Sequence, residues 1–318
     1  RGKYVHLPPI HWQRRRHWMD TKPATSKDPW HRAQANGKNA HPLLGDRIDL
    51  ANSPAAFVWQ TTFDTAVLRF PEDHRIEEEI VLPAAAYIEM ALQAAEETGL
   101  KNSHALTDFV FKARMTLQNG ASRSVQALLS AEQEGRFLFS VYSRTAPEAD
   151  WILHASATFI PQQAADGLAA SMETPPDVIR QQSTSRFTAD EFYQTLQLYG
   201  LQYGPAFRGI QQVWTKDNES LGRIKLPESL QYEIDAYQIH PALLDACLQV
   251  LAATLSASAE HDLYLPTGCA RIRFYSRPDL LVWSHVSLRS APASGTDLID
   301  ADIVISNEDG QIVAELIG

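Results

Sequence analysis

The chain has 318 residues, 44 % of them hydrophobic and 21 % charged, with a net charge of −10 and two cysteines. That is ordinary globular composition, with room for one large core or two domain-sized ones. It excludes a membrane-spanning helix, since no apolar run approaches about 18 residues. It also excludes a disulfide framework and argues against non-specific nucleic-acid binding as the main activity. A reducing, cytoplasmic setting is expected, with Cys247 and Cys269 as small core residues.

Residues 1–40 read as a linker. Arg1 to Asp20 is rich in Arg, Trp, His and Pro and lacks the apolar segment of a secretory signal. Thr21 to Asn39 is polar and aperiodic, as expected of a linker joined to something larger. A first half is expected over 41–165. Phe57 to Phe63 and Ala66 to Phe70 carry the β-branched and aromatic runs of strands. Pro83 suits a first helical position, and Ala84, Tyr87, Ile88, Ala91, Leu92 and Ala95 recur at helical spacing until Gly99. Four strands follow, at Phe109 to Leu117, Ser124 to Ala131, Arg136 to Ser143 and Trp151 to Phe159, with turn signals at Asn119-Gly120 and Glu134-Gly135.

A polar stretch with Pro175-Pro176 marks a second linker over 166–186. In the second half, 187–318, Ala189 to Leu198 and Pro241 to Leu255 read as helices. Strands are expected at Gly209 to Thr215, Ser220 to Lys225, Arg271 to Tyr275, Leu281 to Arg289, Leu298 to Ile305 and Gln311 to Ile317. One long apolar helix followed by several antiparallel strands thus occurs twice. That pattern fits an α+β fold in which a curled sheet wraps a helix.

Each half contributes one chemically telling motif. His74 leads through a run of glutamates to Pro83 and the first helix, and Asp245 lies in the second long helix with Gln249 four residues on. A histidine that titrates near neutrality and a carboxylic acid kept protonated by apolar surroundings can remove a proton from one atom and deliver one to its neighbour. Asp245 lies among Leu243, Leu244, Ala246 and Leu248, which favours a buried position. Gln249, on the same helix face, can hold its carboxyl group. Taken alone, a histidine before a helix is ordinarily structural, and Tyr203 would pass for a core aromatic. Glu77 to Glu79 reads as a solvated charge run.

Together these segments resemble the dehydratase domains of modular polyketide synthases. His74 to Pro83 is similar to the family's H-x3-G-x4-P motif, and Tyr199 to Phe207, containing Tyr203-Gly204-Pro205, to its Y-G-P-x-F segment. Asp245 and Gln249 match D-x3-Q, and His41-Pro42-Leu43-Leu44-Gly45 resembles the usual domain opening. Leu7-Pro8-Pro9 and Trp12 to Trp18 resemble a linker that follows an acyltransferase domain.

The resemblance implies a double-hotdog fold and removal of water from a β-hydroxyacyl thioester, with His74 as base and Asp245 as acid. Gln249, Tyr203, Gly204, Pro205 and Pro83 would support them, the last by starting a helix whose positive end faces the thioester carbonyl. No bound cofactor or metal is expected. The substrate would arrive on the phosphopantetheine arm of an acyl carrier protein. Neighbouring synthase domains and a second copy in a homodimer would be the other partners, with no nucleic acid and no membrane. Arg271 and Arg273, alternating on a strand, are candidate contacts for an acidic carrier protein.

One residue departs from the pattern. Glu78 stands where the family has glycine. A positive backbone angle there would strain any other residue, and a charge there would alter a nearby site. The departure admits plain dehydration, a dehydratase that also closes an oxygen heterocycle (a pyran) or shifts the double bond, or a silent structural domain.

Overall fold

The structure, a computed structural model, describes residues 40–48, 50, 56–65, 68–101, 103–118, 121–162, 171–255, 263–289 and 298–318. The N-terminal linker over 1–39, the turn at Asn119-Gly120 and Ala66 and Val67 lie outside them.

In the first half, β1 (Asp46–Ile48) and β2 (Ala56–Phe63) are followed by a short hairpin of β3 (His74–Ile76) and β4 (Glu79–Val81). Helix α1 (Ala84–Thr98) comes next, then β5 (His104–Phe111), β6 (Thr116–Leu117), β7 (Arg123–Ala131), β8 (Phe137–Arg144) and β9 (Ile152–Pro161). The second half runs α2 (Pro176–Gln182), β10 (Ser185–Thr188), α3 (Ala189–Leu198), β11 (Leu201–Tyr203), β12 (Ile210–Lys216) and β13 (Glu219–Lys225). It finishes with α4 (Pro241–Gln249), α5 (Leu251–Leu255), β14 (Gly268–Phe274), β15 (Leu281–Leu288), β16 (Ala301–Ser306) and β17 (Ile312–Ile317).

The doubled helix-and-sheet arrangement is present, with one refinement. The two expected sheets meet edge to edge where β5 pairs antiparallel with β14. They form a single 13-stranded sheet in the order β1-β2-β7-β8-β9-β5-β14-β17-β16-β15-β13-β12-β10. Its alternation is plain in β7, where Val125, Ala127 and Leu129 are buried at every second position. Those residues, with Phe139, Val141, Ala155 and Ala157 of the adjoining strands, belong to the core around α1. Helix α1 is buried on most of its surface because its positions are alanines alternating with Tyr87, Ile88 and Met90. No helix among the described residues is long and apolar enough to cross a membrane.

Several expectations change. Of the expected strand Ala66 to Phe70, the described residues Leu68 to Phe70 are not strand: Phe70 opens a 3-10 turn over Phe70–Asp73, and Pro71 has no N–H for a ladder. Phe109 to Leu117 is not one strand. A bulge with Asp108 at φ 51° bends β5, and Thr116–Leu117 leaves for a second sheet. The segment read as a second linker carries α2 and the start of β10, because Ile179 packs with Trp214, Leu221 and Trp283. Pro83 is the residue before the helix, extended at ψ 151°, rather than its first member. The expected helix Pro241 to Leu255 breaks at Val250, whose carbonyl accepts the Ser220 hydroxyl at 3.0 Å.

Two features tie the halves together. The second sheet, β11-β3-β4-β6, is built from both, since β11 pairs with β3 and sets Tyr203 opposite His74. The fully buried carboxylate of Glu89 on α1 then reaches the loop entering α4. It accepts the backbone N–H groups of Gln238 and Ile239, each at 2.8 Å. His41 Nδ1 accepts from the backbone N–H groups of Leu43 and Leu44, so the ring proton sits on Nε2 and is donated to Glu89 at 3.0 Å. The segment His41-Pro42-Leu43-Leu44 is therefore held against α1 through His41 and Glu89.

The hairpin turn between β3 and β4 is the two residues Glu77 and Glu78, at φ 49° and 73°. Both angles are positive, as in the turn type that suits a two-residue hairpin. Glu78 thus keeps the backbone shape that glycine would adopt, and its side chain is exposed. The turn is held by Arg75, which donates to the Glu78 carbonyl at 3.1 Å, and by the Glu77 N–H, which donates to the Gly200 carbonyl at 3.0 Å.

Glu89→Ala should destabilise the fold by about 3–5 kcal/mol, because three buried donors lose their acceptor. Urea denaturation followed by circular dichroism measures it. Glu78→Gly should raise stability by up to about 1 kcal/mol, by relieving a left-handed angle. A fall in its denaturation midpoint would contradict that account.

Candidate active site

His74 opens β3 directly after the turn Phe70–Asp73, and Asp245 lies in the middle of α4. Both are buried, each about 6 % exposed. His74 Nδ1 lies 2.8 Å from the Val81 carbonyl, an acceptor only, so Nδ1 carries the proton. In the neutral ring Nε2 then presents a lone pair, and it faces Asp245 Oδ1 at 3.8 Å. Sequence motifs 171 residues apart, from 74 to 245, are thus brought to one point.

Asp245 Oδ2 accepts from Gln249 Nε2 at 2.8 Å, and the same nitrogen donates to the Phe207 carbonyl at 3.2 Å. Gln249 Oε1 has no partner among the described residues. Burial pushes the Asp245 carboxyl above its ordinary range, against smaller lowering effects of His74 and the Gln249 hydrogen bond. The pair of sites is therefore divided in the useful sense, with a base bearing a lone pair and an acid biased to keep its proton.

Tyr203 stands beside them. Its ring meets the His74 ring edge-on at 5.5 Å, and burial holds its phenol well above the usual value, so it remains a donor. Gly204 explains how it is placed. A Cβ there would collide with the Asp73 carboxylate, which needs the space to accept the Ala206 N–H at 2.8 Å. The Gly204 N–H donates to the Asp73 carbonyl at 2.7 Å, and Pro205 starts the short 3-10 turn Pro205–Phe207. This loop and His74 are thereby one rigid unit. Asp73 and Tyr193 were not singled out from the sequence. Tyr193 donates to the Phe207 carbonyl and accepts the Ile210 N–H, both at 3.1 Å. Their partners lie far along the chain or on the backbone, where no spacing signal marks them; Asp73 touching the motif histidine was the one available hint.

His74, Tyr203, Asp245 and Gln249 line a cavity of about 690 Å3. Val81, Leu82, Phe109, Leu196, Ile303 and Leu316 make much of its wall apolar. Ala84, at the first turn of α1, reaches it too, and no side chain caps that helix start. Lys112, Arg114, Pro266 and Thr267 line it while remaining exposed, and so form its rim. Glu78 is not part of the lining. Arg273, one of the two arginines on β14, is engaged by Glu315 at 3.5 Å. Among the described residues no group of three or more His, Cys, Asp or Glu is placed to hold a metal ion.

A carboxyl whose folded pKa is raised penalises the native state once solution pH climbs above the unfolded value, here about 3.8. Asp245→Asn removes that penalty. The variant should be at least as stable as the parent at neutral pH, and its advantage should shrink to nothing as pH falls toward 3.8. Thermal melts across that range check the sign.

Two family models match the chain, "polyketide synthase dehydratase domain" over residues 41–144 and "polyketide synthase dehydratase N-terminal domain" over 172–318. Together they cover well over half of it. The spectinabilin polyketide synthase system protein NorA' of Streptomyces orinoci is 32 % identical over 250 residues, 77 % of this chain and 7 % of that protein. The phthioceranic/hydroxyphthioceranic acid synthase of Mycobacterium bovis (strain BCG / Pasteur 1173P2) is 28 % identical over the whole chain and 14 % of its own length. The chain therefore spans only a small part of these relatives. Among solved structures, the dehydratase domain from the CurF module of curacin polyketide synthase superposes with a TM-score of 0.79 at 24 % identity, covering 88 % of this chain and 97 % of that one. The corresponding CurJ domain gives 0.76 at 28 % identity, covering 87 % and 95 %. The fold is the double hotdog of these domains, and the chain belongs to the polyketide synthase dehydratase family.

Proposed function

We propose that this domain eliminates water from a β-hydroxyacyl thioester, with His74 as the base and Asp245 as the acid. The observation that carries the reading is the opposed preparation of the two groups. Val81 fixes the His74 tautomer so that Nε2 can accept a proton, and burial biases Asp245 toward holding one. His74 Nε2 takes the proton from the α carbon. The electron pair left behind forms the double bond as the bond from the β carbon to oxygen breaks. Asp245 gives its proton to the departing hydroxide, which leaves as water. The proton on His74 then returns to Asp245, and the 3.8 Å gap between them is short enough for transfer through one small rearrangement. The uncapped N–H groups at the start of α1 can polarise the thioester carbonyl and so acidify the α proton. Tyr203 can donate to the β-hydroxyl.

An acyl carrier protein would deliver the chain on its phosphopantetheine arm. The exposed Lys112 and Arg114 at the rim are suited to the negative charge of that arm. A homodimer within a larger synthase is part of the same reading. Glu78 was the reason to consider ring closure or double-bond migration. It keeps the glycine-like turn and lies outside the cavity lining, so no feature of the site favours those reactions over simple elimination.

The test is mass spectrometry on a β-hydroxyacyl pantetheine thioester that also carries a distal hydroxyl. Loss of water giving an alkene is expected. An alkene-free isomer of the dehydrated product would point to ring closure. His74→Ala should lower the rate by a factor of about 100 to 10,000 while the protein stays folded. Elimination at the parental rate in that variant would sink the assignment.

A further inference from the structure

Helix α1 places a second polar group in the cavity wall. Tyr87 lies three residues after Ala84, so both share a helix face, and both line the cavity. Tyr87 is only 4 % exposed, so it belongs to the buried part of the lining with His74 and Asp245 rather than to the rim. Its ring is wedged between Phe111, at 6.1 Å, and His154, stacked at 6.4 Å.

The phenol hydroxyl has no hydrogen-bond partner among the described residues. The Met115 N–H leans toward its oxygen without closing a bond of good geometry, and among the described residues nothing accepts its proton. The polar neighbours are already engaged. His154 Nδ1 donates to the Ala113 carbonyl at 3.0 Å, and its Nε2 accepts from the Ser143 hydroxyl at 2.7 Å. Ser143 in turn accepts from Arg123 at 3.1 Å. A buried donor left without an acceptor costs about 1–3 kcal/mol, and phenylalanine would fill the same space without that cost. Burial also drives the phenol's pKa far upward, so the group stays protonated at any working pH.

We infer that the Tyr87 hydroxyl is a substrate-binding donor, hydrogen-bonded to a carbonyl or hydroxyl oxygen of the acyl-pantetheine chain when that chain fills the cavity. The inference rests on the proposed substrate class and adds to it a residue that recognises the chain away from the His74–Asp245 pair. The acceptor oxygen has two sources, a substituent on the acyl chain or a carbonyl of the thioester and its pantetheine arm. In either case Tyr87 helps select and hold the chain while taking no part in proton transfer.

The probes are saturated acyl pantetheine thioesters, which lack the β-hydroxyl and so bind without reacting. One carries a plain hydrocarbon chain, and the others carry a single hydroxyl moved along it beyond the β carbon. Titration calorimetry compares the parent with Tyr87→Phe. Loss of one neutral hydrogen bond should weaken binding about three- to tenfold. Weakening confined to a hydroxylated probe assigns the acceptor to the acyl chain, and equal weakening of all probes assigns it to the thioester or its arm. The ligand-free variant should melt at the same temperature or higher, since the unmatched hydroxyl is gone. Equal affinities for every probe overturn the inference. So does a variant that melts several degrees lower, because the hydroxyl would then have a partner within the protein. A parent that binds the probes through Tyr87 yet eliminates no water leaves the inference standing and removes the proposed reaction. A parent that binds none of them removes both.

Discussion

The pairing of Leu201–Tyr203 with His74–Ile76 is the constraint on which the site depends. It is a short ladder, yet it joins chain segments from the two halves and sets Tyr203 directly across from His74. The Asp73 carboxylate reinforces it by accepting the Ala206 N–H, and the same carboxylate leaves no room for a side chain at residue 204. Phe207, at the end of that loop, offers its carbonyl to both Tyr193 and Gln249. Gln249 then fixes Asp245. A few backbone contacts thus carry position from the histidine through the loop to the acid, with side-chain freedom removed at each step.

The proposed chemistry rests on burial unevenly compensated. His74 is buried with one ring nitrogen satisfied by a carbonyl and the other aimed at Asp245. Asp245 is buried with one strong donor, where a carboxylate held ionised in such surroundings would need two or three. The contrast with Glu89 is instructive. It is just as buried, but it accepts three hydrogen bonds and clamps two elements together. Full satisfaction suits a structural carboxylate, and partial satisfaction suits one that must hold and release a proton.

Much of this was legible in the residues themselves. Helix α3 has the expected bounds, and α1, β7, β8, β13 and β15 fall within a residue or two, because their periodicity reflects one-sided burial against a single core. His74, Asp245 and Gln249 stood out because their residue types fit one reaction, and the spacing of the last two places them on one face of one helix. What failed did so for local reasons. Pro71 closed the described end of an apparent strand into a 3-10 turn, Thr116–Leu117 left β5 for the second sheet, and the second long helix broke at Val250, whose carbonyl accepts the Ser220 hydroxyl. Glu77 and Glu78 read as a solvated run and are one, but they also form a hairpin turn that ordinarily asks for glycine or asparagine.

By itself, the sequence determined the doubled helix-and-sheet pattern and marked His74 and Asp245 as the candidate base and acid, because hydrophobic period and side-chain chemistry are local properties. Only the tertiary structure decided that the two sheets continue as one through β5 and β14, that Nε2 rather than Nδ1 of His74 faces Asp245, and that Glu78 is exposed and outside the cavity lining. It also left the buried Tyr87 hydroxyl without a hydrogen-bond partner among the described residues. Those outcomes depend on distance and orientation between residues far apart in the chain, and such relations exist only once the halves have closed on each other.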